Sequence, residues 1–448
     1  MDYKRIKEIM SAAAKDAGID EYEIYCSQNE NMSAETLKRE LSGFSSGMSG
    51  GVSFRCIVNG HMGYASGSLI EESELCALVR RAAENAAAIE NDDEVFIFKG
   101  SESYSESFPS LGDTGVDPAK IKACALDLQN RVYETDPSVT EGTQSAAVYI
   151  TSEVYLYNSY GLELSNRVGM TGCYTYPVVN KNGEAQSHFE FALGLEGKEV
   201  EELPALAVKR TMEKLGAVEI ESGKYNVIID GRQMSSILSA FSPVFSAKQA
   251  LLGLSLLADK EGEIVAAPCV TVTDDPMREE APLKAPFDGE GVATYKKTVI
   301  ENGVLKTLLY DLTNAKKAGK TTTGNGQRSG YAGQVTISPY NFSICAGDNS
   351  TEDLFAMAKD GIYVTEVKGL HAGADPVTGD FSIESAGFRI RDGKRCEAVK
   401  SFTIAGNFYD LLKNIDSLSD TVKWQIPDDF CVFGSPDVFL RDISVAGK

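Results

Sequence analysis

Apolar side chains recur with a helical period at the start of the chain. Ile6, Ile9, Met10, Ala13 and Ala14 fall on one face, and the pattern predicts a helix over 3–17. The period then changes to two. "EYEIYCSQ" has a strand-like mix, and Val52, Phe54, Cys56 and Val58 alternate along "GVSFRCIVNGHMGYAS", with Asn59-Gly60 predicting a tight hairpin turn. Ser68 and Glu71 stand at capping-box spacing before a helix through "CALVRRAAENAAAI". The first unit therefore reads α-β-β-β-α.

A polar stretch, Lys99–Lys120, reads as a linker. Beyond it Ile121, Ala125, Leu128 and Val132 mark a helix, and a meander of strands follows with turns at "NSYG" and "NKNG". The helix "EVEELPALAVKRTMEKLGA" closes this unit. The last half opens on the strand "YNVIID". It continues with hairpins at Asn302-Gly303 and Asp392-Gly393 and short helices in "DLTNAKKAG", "STEDLFAMAKDG" and "NFYDLLKNI". Strands dominate, and most neighbours read as antiparallel. The fold class is α+β: N-terminal α/β units with antiparallel strands, then a β-rich C-terminal domain. The expected divisions are 1–98, 112–218 and 224–448.

One helix is conspicuous for what it lacks. After "YNVIID" comes "MSSILSAFSPVFSAKQ", with no charge, His or Cys from Met234 to Phe245, in a chain with 24% charged residues. Ile237, Leu238, Phe241 and Phe245 predict a buried face, and Pro243 should kink or end the first helix.

Charge narrows the function. The net charge is −22 over 448 residues, with the acids dispersed and no basic stripe, which argues against a nucleic-acid partner. No apolar run approaches the roughly 18 residues of a membrane span. The amphipathic N-terminus lacks the basic and apolar regions of a signal peptide, so a cytoplasmic location is expected. Nine isolated cysteines without CxxC suit reduced, mostly buried thiols.

Tests for catalytic motifs mostly fail. Three histidines, His61, His188 and His371, form no HExxH or His-x3-His pair. His61 lies beside a hairpin turn and His188 in a strand. "GFSSG" and "GMSGG" match GxSxG but precede a strand rather than a helix, so their glycines are better read as bending a strand. "TTTGNGQRSGYAG" (Thr321–Gly333) is Gly-rich without a P-loop GKS/T; it reads as a flexible loop whose backbone could meet an extended ligand. The carboxylates of "FDGEG" and "VTDDP" lack calcium-loop spacing and are expected to be solvated. "KGLHAGADPVTGDFS" gathers His371, Asp375 and Asp380 on one loop, which is either a functional loop or a plain turn cluster.

Longer blocks carry a resemblance. "APFDGEGVATYKKTVIENGVLKTLLYDLTNAKKAGKTTTGNG", "HAGADPVTGDFSIESAGFRIRDGKRCEAV", "TIAGNFYDLLKNI", "GSPDVFLRDISVAG" and the N-terminal "GVSFRCIVNGHMGYAS" together resemble the TldD/PmbA family, also labelled modulator of DNA gyrase, over essentially the whole chain. The resemblance implies a heterodimeric metallopeptidase of two related subunits. The TldD type carries HExxxH on a helix of the C-terminal domain, with a later cysteine completing the zinc site. The PmbA (TldE) type has the same fold without the motif.

This sequence is similar to the second type: by order along the chain, "MSSILSAFSPVFSAKQ" stands in the motif's place. Cys431 lies near the region that supplies the cysteine ligand, but without the two histidines that role does not carry over. The resemblance thus implies a subunit without catalytic residues, metal or other cofactor of its own, zinc being expected in a TldD-type HExxxH-bearing partner. It implies a heterodimer with that partner, a homodimer in isolation, and an extended peptide substrate paired to a strand edge. Asn325, His371, Asp380 and Phe381, on the Gly-rich segments Thr321–Gly333 and Leu370–Ser382, are the candidate substrate-binding residues. Two other readings stay open: a stand-alone hydrolase using His371 with Asp380 or a borrowed metal, and a non-enzymatic binding or regulatory protein.

Overall fold

The computed structural model describes residues 1–90, 94–106, 115–427 and 431–448. The central part of the expected linker, 107–114, lies outside the described residues, as does the "DDF" before Cys431.

The fold is α+β with largely antiparallel sheets. The first two units share one six-stranded antiparallel sheet, ordered His61–Gly67, Glu40–Val58, Glu21–Leu37, Gln144–Asn158, Glu163–Tyr176 and Glu190–Leu193. The junction is the pairing of Glu21–Leu37 with Gln144–Asn158, in register from Glu23↔Asn158 to Leu37↔Gln144. Side chains alternate across a strand, so this long strand commits its even positions to one face. Ile24 and Cys26 meet Ile6, Met10, Leu75 and Leu78 of the helices Tyr3–Asp16 and Glu72–Ala87. Met32 and Ala34 meet Ile121, Leu128 and Leu203 of the helices Pro118–Thr135 and Lys198–Met212. All four helices therefore cover one face. The odd positions Glu23, Tyr25 and Ser27 are buried as well, because the C-terminal domain covers the other face.

That domain contains two further six-stranded sheets. One runs Lys394–Asn407, Asp380–Arg391, Gly361–Lys368, Gly223–Ile229, Val438–Ala446 and Ile415–Leu418, and curls until Thr403–Ala405 pairs with Ser444–Ala446. The other runs Val304–Leu305, Lys297–Glu301, Val272–Asp274, Asn341–Ile344, Val432–Ser435 and Lys423–Trp424. Each contains one parallel pair among antiparallel ones. A large apolar core packs Val227, Ile229, Phe342, Ile362 and Phe402 around the helix Gly231–Phe241.

The four Asn-Gly or Asp-Gly turns form as expected. Asn59-Gly60, Asn182-Gly183, Asn302-Gly303 and Asp392-Gly393 all have positive φ at both residues, as a two-residue primed turn demands. The capping box at Ser68 and Glu71 does not form: Glu71 itself is the cap of the helix Glu72–Ala87, with no side-chain bond. A complete box occurs instead at Ser350 and Asp353. "GFSSG" and "GMSGG" lie inside the strand Glu40–Val58, which rules out a nucleophile elbow. The cysteines are less uniformly interior than expected: Cys26, Cys56 and Cys173 are buried, whereas Cys269 and Cys396 are exposed. All nine are free thiols.

Candidate functional site

The strand Gly223–Ile229 delivers the chain to Asp230, which caps the helix Gly231–Phe241 by accepting from the Arg232 N–H at 3.0 Å. Its other oxygen accepts from the Lys423 Nζ at 2.7 Å and the Tyr363 hydroxyl at 2.7 Å. Lys423 also donates to Asp437 at 2.6 Å, and Asp437 accepts from the Gly231 N–H at 2.7 Å. Burial works against the Asp230 charge, but Lys423 and these hydrogen bonds outweigh it and lower its pKa. Gly231 is required here, since a Cβ would collide with the Ser435 carbonyl. Past the cap the helix is apolar. Met234, Ile237, Leu238, Phe241 and Phe245 are fully buried, with Phe241 stacked on Phe408 at 4.5 Å. The helix ends at Phe241, and a 3-10 turn begins at Ser242-Pro243, where the proline was expected to stop it.

A second concentration of chemistry lies where the C-terminal domain meets the odd face of the N-terminal sheet. Tyr25, Val154 and Asn166 from the sheet, with Phe287, Asp288, Gln327, Arg328 and Tyr340 from the domain, line a narrow cleft. Glu23, without solvent contact, accepts from Arg55 at 2.8 Å and from Arg328 at 2.6 Å. Burial opposes its charge, and the two guanidinium groups overcome that and lower its pKa. The acids of "FDGEG" are not solvated as expected. Asp288 is 2% and Glu290 4% exposed. Asp288 accepts the backbone N–H groups of Glu290, Val292 and Gly326 at 2.9–3.0 Å, yet burial still pushes its pKa to about 6. Glu290 has one such donor, Leu312 N–H at 2.9 Å; burial and the neighbouring Asp288 push it to about 8. Two adjacent buried carboxyls resist ionising together, so the pair favours keeping one proton towards neutral pH, with Glu290 the more strongly raised of the two.

"VTDDP" is corrected likewise: Asp274 is fully buried and accepts from Lys297 at 3.1 Å, Asn325 at 2.8 Å and the Tyr340 N–H at 2.8 Å.

The four candidate substrate-binding residues divide into two places. Asn325 belongs to the Asp274 network and is fully buried; its amide also donates to Ser338 O, and its Oδ1 accepts from Lys297 and Thr323. The segment Thr321–Gly333 is not a free loop. Thr323 to Gly326 are buried, and the Tyr64 hydroxyl donates to the Tyr331 carbonyl at 2.8 Å. The other three lie on or just before the strand Asp380–Arg391. Phe381 is core, edge-on to Phe241. His371 is exposed on the short helical turn Leu370–Gly373, and Asp380, also exposed, accepts from Asn407 Nδ2 at 2.9 Å. Asp375 organises the intervening turn by accepting from the Val377 N–H.

The donors for a metal are scattered. His61 begins a strand, His188 lies between two strands beside Glu190 at 3.6 Å, and His371 is on its own turn. Glu190 is itself paired with Arg210 and Arg232. Cys431 meets Ser338 Oγ at 3.1 Å and the Pro339 carbonyl at 3.0 Å. Among the described residues no three His, Cys, Asp or Glu side chains could hold a metal ion. A tetrahedral zinc site needs three or four converging donors, so the described residues do not fit zinc.

Reading the sequence missed the buried charges at Glu23, Arg328, Asp230 and Lys423. The signal for Glu23 was its place between Tyr22 and Ile24 in a strand buried on both faces; Asp288 and Glu290 each sit beside glycines that bring backbone close.

The three successive parts of this chain each match a domain of a metallopeptidase family. The chain belongs to the PmbA/TldD metallopeptidase family. It matches the profiles described as PmbA/TldA metallopeptidase domain 1 over 22–86, central domain over 113–215 and C-terminal domain over 222–447. It is 26% identical to a metalloprotease of Methanocaldococcus jannaschii over 88% of each chain. A Thermotoga maritima crystal structure described as a modulator of a DNA gyrase superposes with a TM-score of 0.89 at 26% identity, over 99% of this chain and 100% of that one. TldE from Thermococcus kodakarensis shares the fold with a TM-score of 0.89 at 23% identity, over 99% and 100%.

Proposed function

We propose that this chain is the non-catalytic subunit of a two-subunit metallopeptidase acting on unfolded or extended peptides. The observation that carries the reading is the donor set: the helix Gly231–Phe241 has no His or Glu, and the three histidines sit on separate elements. Zinc would be held by a partner with HExxxH on the corresponding helix, and this chain would complete the wall of a peptide-binding cavity. Of the four candidate substrate-binding residues, His371 and Asp380 leave polar groups at the surface where a peptide could meet them. Asn325 and Phe381 are committed to buried contacts and would act by shape alone.

The test is metal analysis and peptide cleavage by the purified chain, alone and mixed with an HExxxH-bearing partner. The reading expects no stoichiometric zinc and no cleavage alone, and cleavage by the mixture. Stoichiometric zinc in the lone chain, with cleavage abolished by His371→Ala, would overturn it.

A further inference from the structure

Two thiols meet where a helix of the central unit lies across the sheet. Cys124 is on the helix Pro118–Thr135 and Cys173 on the strand Glu163–Tyr176. Cys173 faces Ala147 across one ladder and Ala192 across the other, and its side chain is buried in the core beneath the helix. Cys124 stands at the edge of the helix's buried face, three residues after Ile121 and four before Leu128. It is half-buried, and its Sγ donates to the Leu195 carbonyl at 3.7 Å, just beyond the strand that carries Ala192. There the two thiols are hydrogen-bonded to each other. Alanine would fill either position as small apolar packing, so two sulfurs in contact add chemistry that the core does not require.

We infer that Cys124 and Cys173 form a dithiol that a hydroperoxide converts into a disulfide, with Cys124 the attacking sulfur and Cys173 the resolving one. Exposure sets the order, since an oxidant reaches half-buried Cys124 while Cys173 is 2% exposed. Electrostatics agrees with it. The Cys173 S–H donates to the Cys124 sulfur and holds its pKa below the ordinary thiol value, and Arg131 on the same helix helps against burial, Asp127 and Glu196. Cys173 is shifted upward, first by the same hydrogen bond and then by burial. The thiolate is the form that attacks a peroxide. Other cysteines differ. Burial pushes Cys26 to about 12 and Cys56 to about 11, and exposed Cys269 and Cys396 donate to the backbone carbonyls of Ile415 and Lys394.

The steps balance. The Cys124 thiolate attacks one peroxide oxygen; an S–O bond forms as the O–O bond breaks, and the leaving oxygen takes up a proton. Cys124 is then a sulfenic acid. The Cys173 sulfur displaces its hydroxyl, the S–S bond forms, and the Cys173 proton leaves with the hydroxide as water. The two sulfurs together lose the two electrons that the hydroperoxide gains. An S–S bond is about 2 Å long, so thiols already in hydrogen-bond contact need only a short approach. The product ties the helix Pro118–Thr135 to the strand Glu163–Tyr176.

The inference does not depend on the peptidase reading, and its test has no peptidase readout. The reduced full chain is treated with hydrogen peroxide, blocked with iodoacetamide, digested with trypsin without reductant and mapped by mass spectrometry. The peptides Ala123–Arg131 and Val168–Lys181 should appear joined, two hydrogens lighter than their sum, and dithiothreitol should separate them. The Cys124 thiol should be lost at least ~tenfold faster than those of Cys26 and Cys56. In Cys173→Ala the resolving sulfur is gone, and Cys124 should accumulate as a sulfenic acid that dimedone traps. In Cys124→Ala, Cys173 should stay reduced. The wild-type map stands whether or not the variants fold. Peptides that stay unlinked at peroxide concentrations that oxidise Cys269 and Cys396, Cys124 lost no faster than Cys26, or dimedone on Cys173 in Cys124→Ala would each overturn the assignment.

Discussion

The Asp288–Glu290 pair makes the stability of this protein depend on pH in an unusual direction. Burial and the adjacent Asp288 push Glu290 to about 8, against 4.5 for the unfolded group. Below pH 4.5 both states hold the proton. Between the two values the unfolded chain ionises while the folded chain keeps its proton, so the stability present at low pH is lost as pH rises. The slope is about 1.4 kcal/mol per pH unit for one group. Over the two units from about pH 5.5 to 7.5 that amounts to about 3 kcal/mol. Asp288, raised to about 6, completes most of its own change near the lower end of this window. Glu290→Gln keeps an oxygen for the Leu312 N–H and removes the titration. In urea denaturation at a series of pH values, variant and wild type should agree within about 1 kcal/mol at pH 4.5, and by pH 5.5 the variant should be ahead by about 1.4 kcal/mol. That margin should grow to about 4 kcal/mol at pH 7.5. Parallel curves for the two proteins would refute the claim that Glu290 is protonated in the fold.

Glu23→Gln strands Arg55 and Arg328 in a buried site and should cost about 3–5 kcal/mol of stability in denaturant unfolding. The Glu23→Gln, Arg328→Met double variant should recover part of that loss, because no unpaired buried guanidinium remains at Arg328. Phe241→Ala opens a cavity between Phe408 and Phe381 and should cost about 3–5 kcal/mol, read as a lowered melting temperature. His371→Ala and Asp380→Asn change exposed groups, so each should move stability by less than about 0.5 kcal/mol. If they meet substrate, each should raise KM of the reconstituted peptidase, and unchanged kinetics in both would remove them from the peptide path. Excess zinc should leave the melting temperature of the isolated chain unchanged, since a ligand that binds only the folded state would raise it.

The parts of the fold legible in the sequence are those where one residue type has one local use. Asn-Gly and Asp-Gly turns were found because few other pairs tolerate positive φ at both positions. The buried helix was found because its apolar spacing left no alternative face. What stayed hidden depends on partners far along the chain. Glu23 and Arg328 are 305 residues apart, and no local pattern distinguishes a carboxylate that will meet two guanidinium groups from one that will meet water. Asp288 and Glu290 were misread for the same reason: an acidic chain makes any single acid look solvated until the covering sheet is placed. The Gly-rich segment Thr321–Gly333 was read as flexible from composition, yet its glycines serve close packing. At Gly326 a Cβ would press on the Glu290 side chain at 2.6 Å.

The helix Gly231–Phe241 shows why a metal site is not two substitutions away. Zinc-binding histidines on a helix must share a face and look into a cavity. The HExxxH spacing sets its histidines five residues apart; Met234 with Ser239 and Ser236 with Phe241 are such pairs, and Met234 and Phe241 are fully buried in the core. A histidine at either buried position would place an imidazole where the surroundings offer packing rather than hydrogen bonds, at a cost of roughly 1–3 kcal/mol for an unpaired polar group. The N-terminal turn is equally committed. Asp230 and Asp437 hold Lys423 between them, and the single Ser235 hydroxyl proton is donated to the Gly231 carbonyl at 2.7 Å, with the Lys423 carbonyl also within reach at 3.2 Å. A carboxylate added in that turn would meet two carboxylates that already share a single cation. The cap and the apolar face together make this helix a structural pillar for the strands around it. Placing a metal site on this helix would require opening the core as well as supplying ligands.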